Sequence, residues 1–126
     1  MKYLALLLLM FALFTQASEF SSRLRAGQMA LSTPSGKSYE HSWGEVMRAS
    51  LTSCVPIGTR STATLGTFTF VANVSSSGSV SDVEVRPVTA VSQCFAKYFG
   101  GAQLPAPPGI KHVGYLPVAD SVDVTP

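Results

Sequence analysis

The chain is poor in charge, histidine and cysteine, and each shortage closes off a class of function. Only 13% of its 126 residues are Asp, Glu, Lys or Arg, and nine basic side chains against seven acidic ones give a net charge of +2. No basic cluster exceeds the pair Arg23 and Arg25. A nucleic-acid footprint and a polybasic membrane patch are therefore both missing, and nucleic acid is not an expected partner. Two histidines, His41 and His112, stand far apart, and neither lies in sequence near Cys54 or Cys94. Serines are numerous, yet no Gly-x-Ser-x-Gly elbow exists to expose one as a nucleophile. Gly36-Lys37-Ser38 ends like a phosphate-binding loop, but Leu31 occupies the position where that loop needs its first glycine.

The remaining candidates for chemistry are weak. His41 and Glu45, at i and i+4, could share a metal ion on a helix, but two ligands make a poor site. Asp82 and Glu84 project from one face of a strand two residues apart, and with Arg86 beside them they read as a solvated face. Asn73-Val74-Ser75 satisfies a glycosylation sequon, which matters only in a eukaryotic secretory pathway. The expectation is a non-enzymatic chain with no catalytic residue, cofactor or metal.

What is present begins with an export signal. Lys2 supplies a positive start, Leu4 to Phe14 is an almost unbroken apolar run, and Thr15-Gln16-Ala17 offers the small residues of a cleavage site. The run is too short for a bilayer span, which needs about 20 residues. Cleavage after Ala17 leaves 109 residues with a net charge of +1 and no stable membrane anchor, and predicts a periplasmic or secreted protein. Residues 18 to 38, rich in Ser, Gly, Thr and Arg, read as a flexible leader.

In an oxidising compartment two lone cysteines usually pair. Closing about forty residues between Cys54 and Cys94 stabilises a small domain by about 4 kcal/mol on the chain-entropy account. Two free buried thiols are the competing reading.

Ser42-Trp43-Gly44-Glu45 has the form of a capping box and predicts a helix start. Behind it Trp43, Val46, Met47, Leu51 and Cys54 repeat at helical spacing until Pro56 and Gly58. Thr64 to Val74 alternates, with Phe68, Phe70, Ala72 and Val74 on one face. Ser75 to Ser79 is turn chemistry, and Val80 to Arg86 returns as the second strand of a hairpin whose polar face looks toward water. Thr89 caps a second helix with the stripe Val91, Cys94, Phe95 and Tyr98 or Phe99. A proline-rich connector, Leu104 to Gly109, leads to a weaker strand over Ile110 to Val118, and the tail from Ala119 to Pro126 is expected to fray. The order α-β-β-α-β predicts an α+β, two-layer sandwich: a short antiparallel sheet of about three strands with two helices on one face. Only helices on the same face would let Cys54 and Cys94 meet.

Leu65-Gly66-Thr67-Phe68-Thr69-Phe70, then Val74 to Val85 with its Ser-Gly-Ser-Val turn, a cysteine-bearing helix, and Leu104-Pro105 with Pro107-Pro108 together resemble the TonB C-terminal domain. Within that superfamily the pattern is most similar to the cysteine-paired AgmX/PglI C-terminal type, in which a cysteine in each of two helices brackets the hairpin. The resemblance covers residues 39 to 118. It implies a binding mode in which an exposed sheet edge takes up a partner strand through main-chain hydrogen bonds. It does not imply energy transduction, because the membrane span and long proline-rich reach of a transducer are not in this pattern, and Glu40 follows Tyr39 where the family commonly has proline.

The sequence thus predicts a small exported binding module whose partner is a protein or envelope component. Its expected contact residues are Lys111, Val113 and Tyr115 on the last strand, or the polar hairpin face. An inhibitor or immunity protein blocking a toxin or envelope enzyme fits the same pattern, and so does an enzyme whose site forms only in three dimensions.

Overall fold

A computed structural model describes residues 19–55, 66–109 and 114–124. The signal segment, Pro56, Gly58, Lys111, His112 and Val113 lie outside the described residues. Four helices and three strands follow in order: α1 (residues 19–31), α2 (Pro34–Ser42), α3 (Gly44–Thr52), β1 (Gly66–Ser75), β2 (Val80–Arg86), α4 (Ala90–Phe99) and β3 (Tyr115–Val124). The strands form one antiparallel sheet in the order β2-β1-β3, with helices packed against it, an α+β fold.

The alternation in β1 sets the core. Phe68, Phe70, Ala72 and Val74 are all buried on one face, where Phe70 meets Trp43, Phe95 and Phe99 at ring-centroid distances of 6.3, 5.3 and 5.1 Å. Trp43 heads α3, and Phe95 and Phe99 lie one helical turn apart on α4, so this one cluster fastens both helices to the sheet. Fully burying each such ring is worth about 1.5–3 kcal/mol, and the tilted and edge-on pairings add about 0.5–1.5 kcal/mol per pair. Trp43 Nε1 is buried without a hydrogen-bond partner, so the position is held for its aromatic surface, at a cost of about 1–3 kcal/mol for the unpaired donor. Of the two candidates at the end of the α4 stripe, Phe99 is buried and Tyr98 is exposed.

A bulge in β2 makes its valines agree. Between the pairs Asn73↔Ser81 and Val71↔Glu84 the single residue Ala72 faces two, Asp82 and Val83. Without the extra residue Val80 and Val85 would point to opposite faces; with it both are buried in the same core and Val83 packs against them. The bulge places Asp82 at φ 53°, a left-handed conformation uncommon outside glycine. Gly78, at φ 90°, lets the preceding turn close, and a β-carbon there would strike the Leu104 carbonyl.

Four expectations need correction. Residues 19–38 are not a loose leader. Phe20, Leu24, Gly27 and Leu31 recur every three to four residues on α1, and Thr33 caps α2 by accepting the Gly36 N–H (3.0 Å) ahead of Pro34 at the first helical position. Ser42 does not cap α3, because α2 already runs through it and its hydroxyl donates to the Tyr39 carbonyl. The last strand, Tyr115–Val124, does not end at Val118, and the tail is paired to Val124, because Val118 and Val122 continue an apolar face opposite Ala72 and Phe68; the part of the expected strand from Ile110 to Val113 lies outside the described residues. The hairpin's second face looks toward water only in part. There α1 buries Phe20 against Val71 and Ala119, while Arg23 pairs with Glu84 (2.9 Å) and Arg86 lies 5.0 Å over the Phe20 ring. The packed body therefore extends from α1 to the end of β3, beyond the expected 39–118 on both sides.

Backbone proximity is what seats α1. A β-carbon added to Gly27 would come within 2.6 Å of the Ala119 Cβ and backbone nitrogen. Gly27→Val should consequently lift α1 from the sheet and cost about 1–3 kcal/mol, whereas Gly44→Ala, where a β-carbon meets nothing within 4 Å, should leave stability unchanged or slightly raised. Thermal unfolding of the two variants side by side checks this.

Candidate functional site

The sheet has two edges, and they are not equivalent. Beside β2, Ser79 bridges Gln103, the Val80 N–H donates to the Ala102 carbonyl (3.4 Å) and the Leu104 N–H donates to the Gly78 carbonyl (2.9 Å). The start of β2 is thus covered by the segment that follows α4. Beside β3 no strand pairs on the outer side among the described residues, so its ten residues form the open edge.

Which groups β3 presents follows from the ladder. The Ser75 N–H donates to Ser79 across the hairpin, and alternation then turns the amides of Val74, Ala72, Phe70 and Phe68 toward β3. Their partners Leu116, Val118, Asp120 and Val122 face inward, so the main-chain groups of Tyr115, Pro117, Ala119, Ser121 and Asp123 face outward. Two of these five are blunted. Pro117 has no N–H, and the Ser121 N–H donates to its neighbour's Asp120 Oδ1 (2.8 Å). Tyr115 heads the strand and is 42% exposed, the aromatic ring nearest the open end of this edge. Of the three expected contact residues it alone lies within the described residues.

Two clefts flank the strand. The first, of about 740 Å³, lies where α2 and α3 approach β3, with Lys37, Glu40 and His41 on its α2 wall and Asp120 opposite. Asp120 occupies a position that alternation reserves for the core, between buried Val118 and Val122 and across from Phe70. Burial pushes the Glu40 carboxyl above the usual carboxylate range, the charge of Asp120 and a hydrogen bond to it push it further, and Lys37 opposes them. Neighbouring Tyr39 anchors α2 from its other side: its phenol donates to the Pro105 carbonyl (2.8 Å), and burial raises its pKa. The second cleft, of about 640 Å³, lies between α1 and the sheet, where Arg23, Asn73 and Asp82 face Tyr115 and Pro117. Asn73 donates to Asp82 Oδ2 (3.3 Å) and lies in the central strand, so its sequon asparagine is engaged within the fold.

Cys54 and Cys94 are bonded, with Cα atoms 5.6 Å apart, joining the end of α3 to the middle of α4. The bond points to an oxidising compartment. No helix among the described residues is long and apolar enough to cross a membrane. His41 and Glu45 line the first cleft, and no set of three His, Cys, Asp or Glu residues gathers around a metal position among the described residues. Trp43, Phe95 and Phe99 are core, as their stripes indicate.

Sequence reasoning missed Glu40, Asp120 and Arg23. A signal for Asp120 was there, an acidic residue flanked at i±2 by Val118 and Val122, and the helical stripe on 20–31 would have exposed Arg23 as a residue beside the sheet. In comparisons with family models, curated proteins and solved structures, nothing matches the chain.

If Pro117 is what keeps the open edge from pairing with other copies, Pro117→Ala restores an outward amide at little cost in stability. Light scattering should then show more concentration-dependent association in the variant than in the parent, and a variant that associates no more than the parent would remove Pro117 from that role.

Proposed function

We propose that this chain is a small, non-enzymatic binding module of the bacterial envelope, periplasmic or secreted, that takes up a protein or envelope component along the outer edge of β3. The asymmetry of the sheet carries this reading. One edge is covered at its start by the chain itself, while among the described residues the other stays open over ten residues and begins at a half-exposed tyrosine. Strand addition on such an edge draws affinity from main-chain hydrogen bonds and selectivity from alternate side chains. The resemblance to TonB C-terminal domains of the cysteine-paired type supports the same mode, and the disulfide is in keeping with an exported protein.

The α1 helix narrows the choice of surface. The polar hairpin face, the other surface expected from sequence, is occupied by Phe20 and Arg23. The contact residues are accordingly moved along the strand, to Tyr115, Ala119, Ser121 and Asp123.

A photo-crosslinking residue in place of Tyr115 or Ser121, compared with one in place of the exposed Arg48 on α3, tests the assignment in cell envelopes. Discrete adducts should arise from β3 and not from α3, and Asp123→Pro, which deletes an outward amide, should abolish them. Adducts of equal yield from both elements, or adducts indifferent to Asp123→Pro, would overturn it.

A further inference from the structure

The carboxyl pair in the first cleft has no role in the binding edge and no explanation in the core. Asp120 stands on the core-facing side of an edge strand, and Glu40, one residue after buried Tyr39 on α2, lines the same cleft. Both are half-buried, and they bridge two elements that no disulfide or salt bridge joins among the described residues. Two carboxylates brought together in one cleft repel, whereas one proton between them makes a hydrogen bond of the stronger, charge-assisted kind.

We propose that Glu40 and Asp120 form a proton-operated latch between α2 and β3. With one proton shared, Glu40 donates to the Asp120 carboxylate and α2 lies against the strand; with the proton lost, two negative charges meet and the junction loosens. The remaining charged groups at the cleft do not cancel this. Lys37 on α2 is exposed and attenuates the repulsion without removing it, Glu45 and Arg48 on α3 pair with one another at 3.0 Å, and His41 lies beside Glu40 on α2. From α1 the cleft receives only Leu31. The latch stands whether or not β3 takes up a partner.

The direction of the effect follows from linkage. Glu40 binds its proton more tightly in the folded chain than in the unfolded one, so its contribution is fully present below the ordinary carboxylate range. It is lost as pH rises through the elevated folded value. Glu40→Gln keeps a hydrogen-bond donor and cannot ionise, so it imitates the latched state at every pH.

Thermal unfolding of the mature, disulfide-bonded chain from acid to neutral pH tests the latch. Parent and Glu40→Gln should melt together in acid and separate toward neutrality, with the variant higher by about 4 °C. Asp120→Asn should flatten the profile in the same way, and the double variant should gain little beyond either change, since both remove one repulsion. Amide exchange over α2, corrected for intrinsic rates, should quicken toward neutral pH in the parent alone. A constant offset between parent and Glu40→Gln at all pH values would overturn the proposal. So would a profile unchanged by Glu40→Gln and abolished by His41→Gln, which would make the histidine the titrating group. Should Glu40→Gln fail to fold, Asp120→Asn carries the same comparison.

Discussion

The packing of Phe70 against Trp43, Phe95 and Phe99 is the interaction on which the rest of this molecule depends. Phe70 lies on the central strand, so the cluster fixes which face of the sheet receives α3 and α4, and that in turn brings Cys54 within bonding reach of Cys94. The disulfide then reinforces an arrangement that the aromatic rings specify, by limiting how far the unfolded chain can spread. The bulge at Asp82 is a further consequence, because it is what lets β2 send Val80 and Val85 into the same aromatic core. Truncation of a ring in such a position typically costs about 3–5 kcal/mol, a large part of the stability of a small domain.

The second face of the sheet follows a different rule. It is closed by one helix whose smallest residue, Gly27, touches the strand and whose Arg23 satisfies Glu84. Little apolar area is involved beyond Phe20, Leu24, Val71 and Ala119, so α1 is seated by close backbone approach and charge pairing more than by a broad hydrophobic layer. This explains why Val71, on the face of β1 expected to be wet, is fully covered, while Thr67 on the same face stays exposed.

The readable parts of the fold were those where one period dominates over many residues. Phe68 to Val74, the Ser-Gly turn, the Thr89 cap and the cysteine-bearing stripes each carry their local signal undiluted, so hairpin, second helix and helix-to-helix link all follow from the sequence. The first two helices were obscured by composition. Ser21, Ser22, Gly27, Ser32, Ser35 and Gly36 look like loop residues, yet apolar positions every three to four residues and a Thr-Pro cap were present beneath them. The last strand was misplaced because Pro117 and Asp120 interrupt its apolar face. The structure gives each a reason: a proline tolerated on an open edge, and a carboxylate that shares a cleft with Glu40 of another element. Such a partner, eighty residues away in sequence, leaves no local mark. The edge strand was correspondingly legible as a strand and illegible in its extent.

An open outer edge on a strand that is fully paired on its inner side is the physical basis for assigning β3 a binding role. Residue-resolved amide hydrogen exchange on the isolated, oxidised chain tests it most directly. The account predicts slow exchange at Leu116, Val118, Asp120 and Val122, whose amides donate to β1, and markedly faster exchange at Tyr115 and Asp123, with Ser121 between them because Asp120 holds its amide. Uniform protection along the strand would mean that another segment already covers the edge, and would contradict the account.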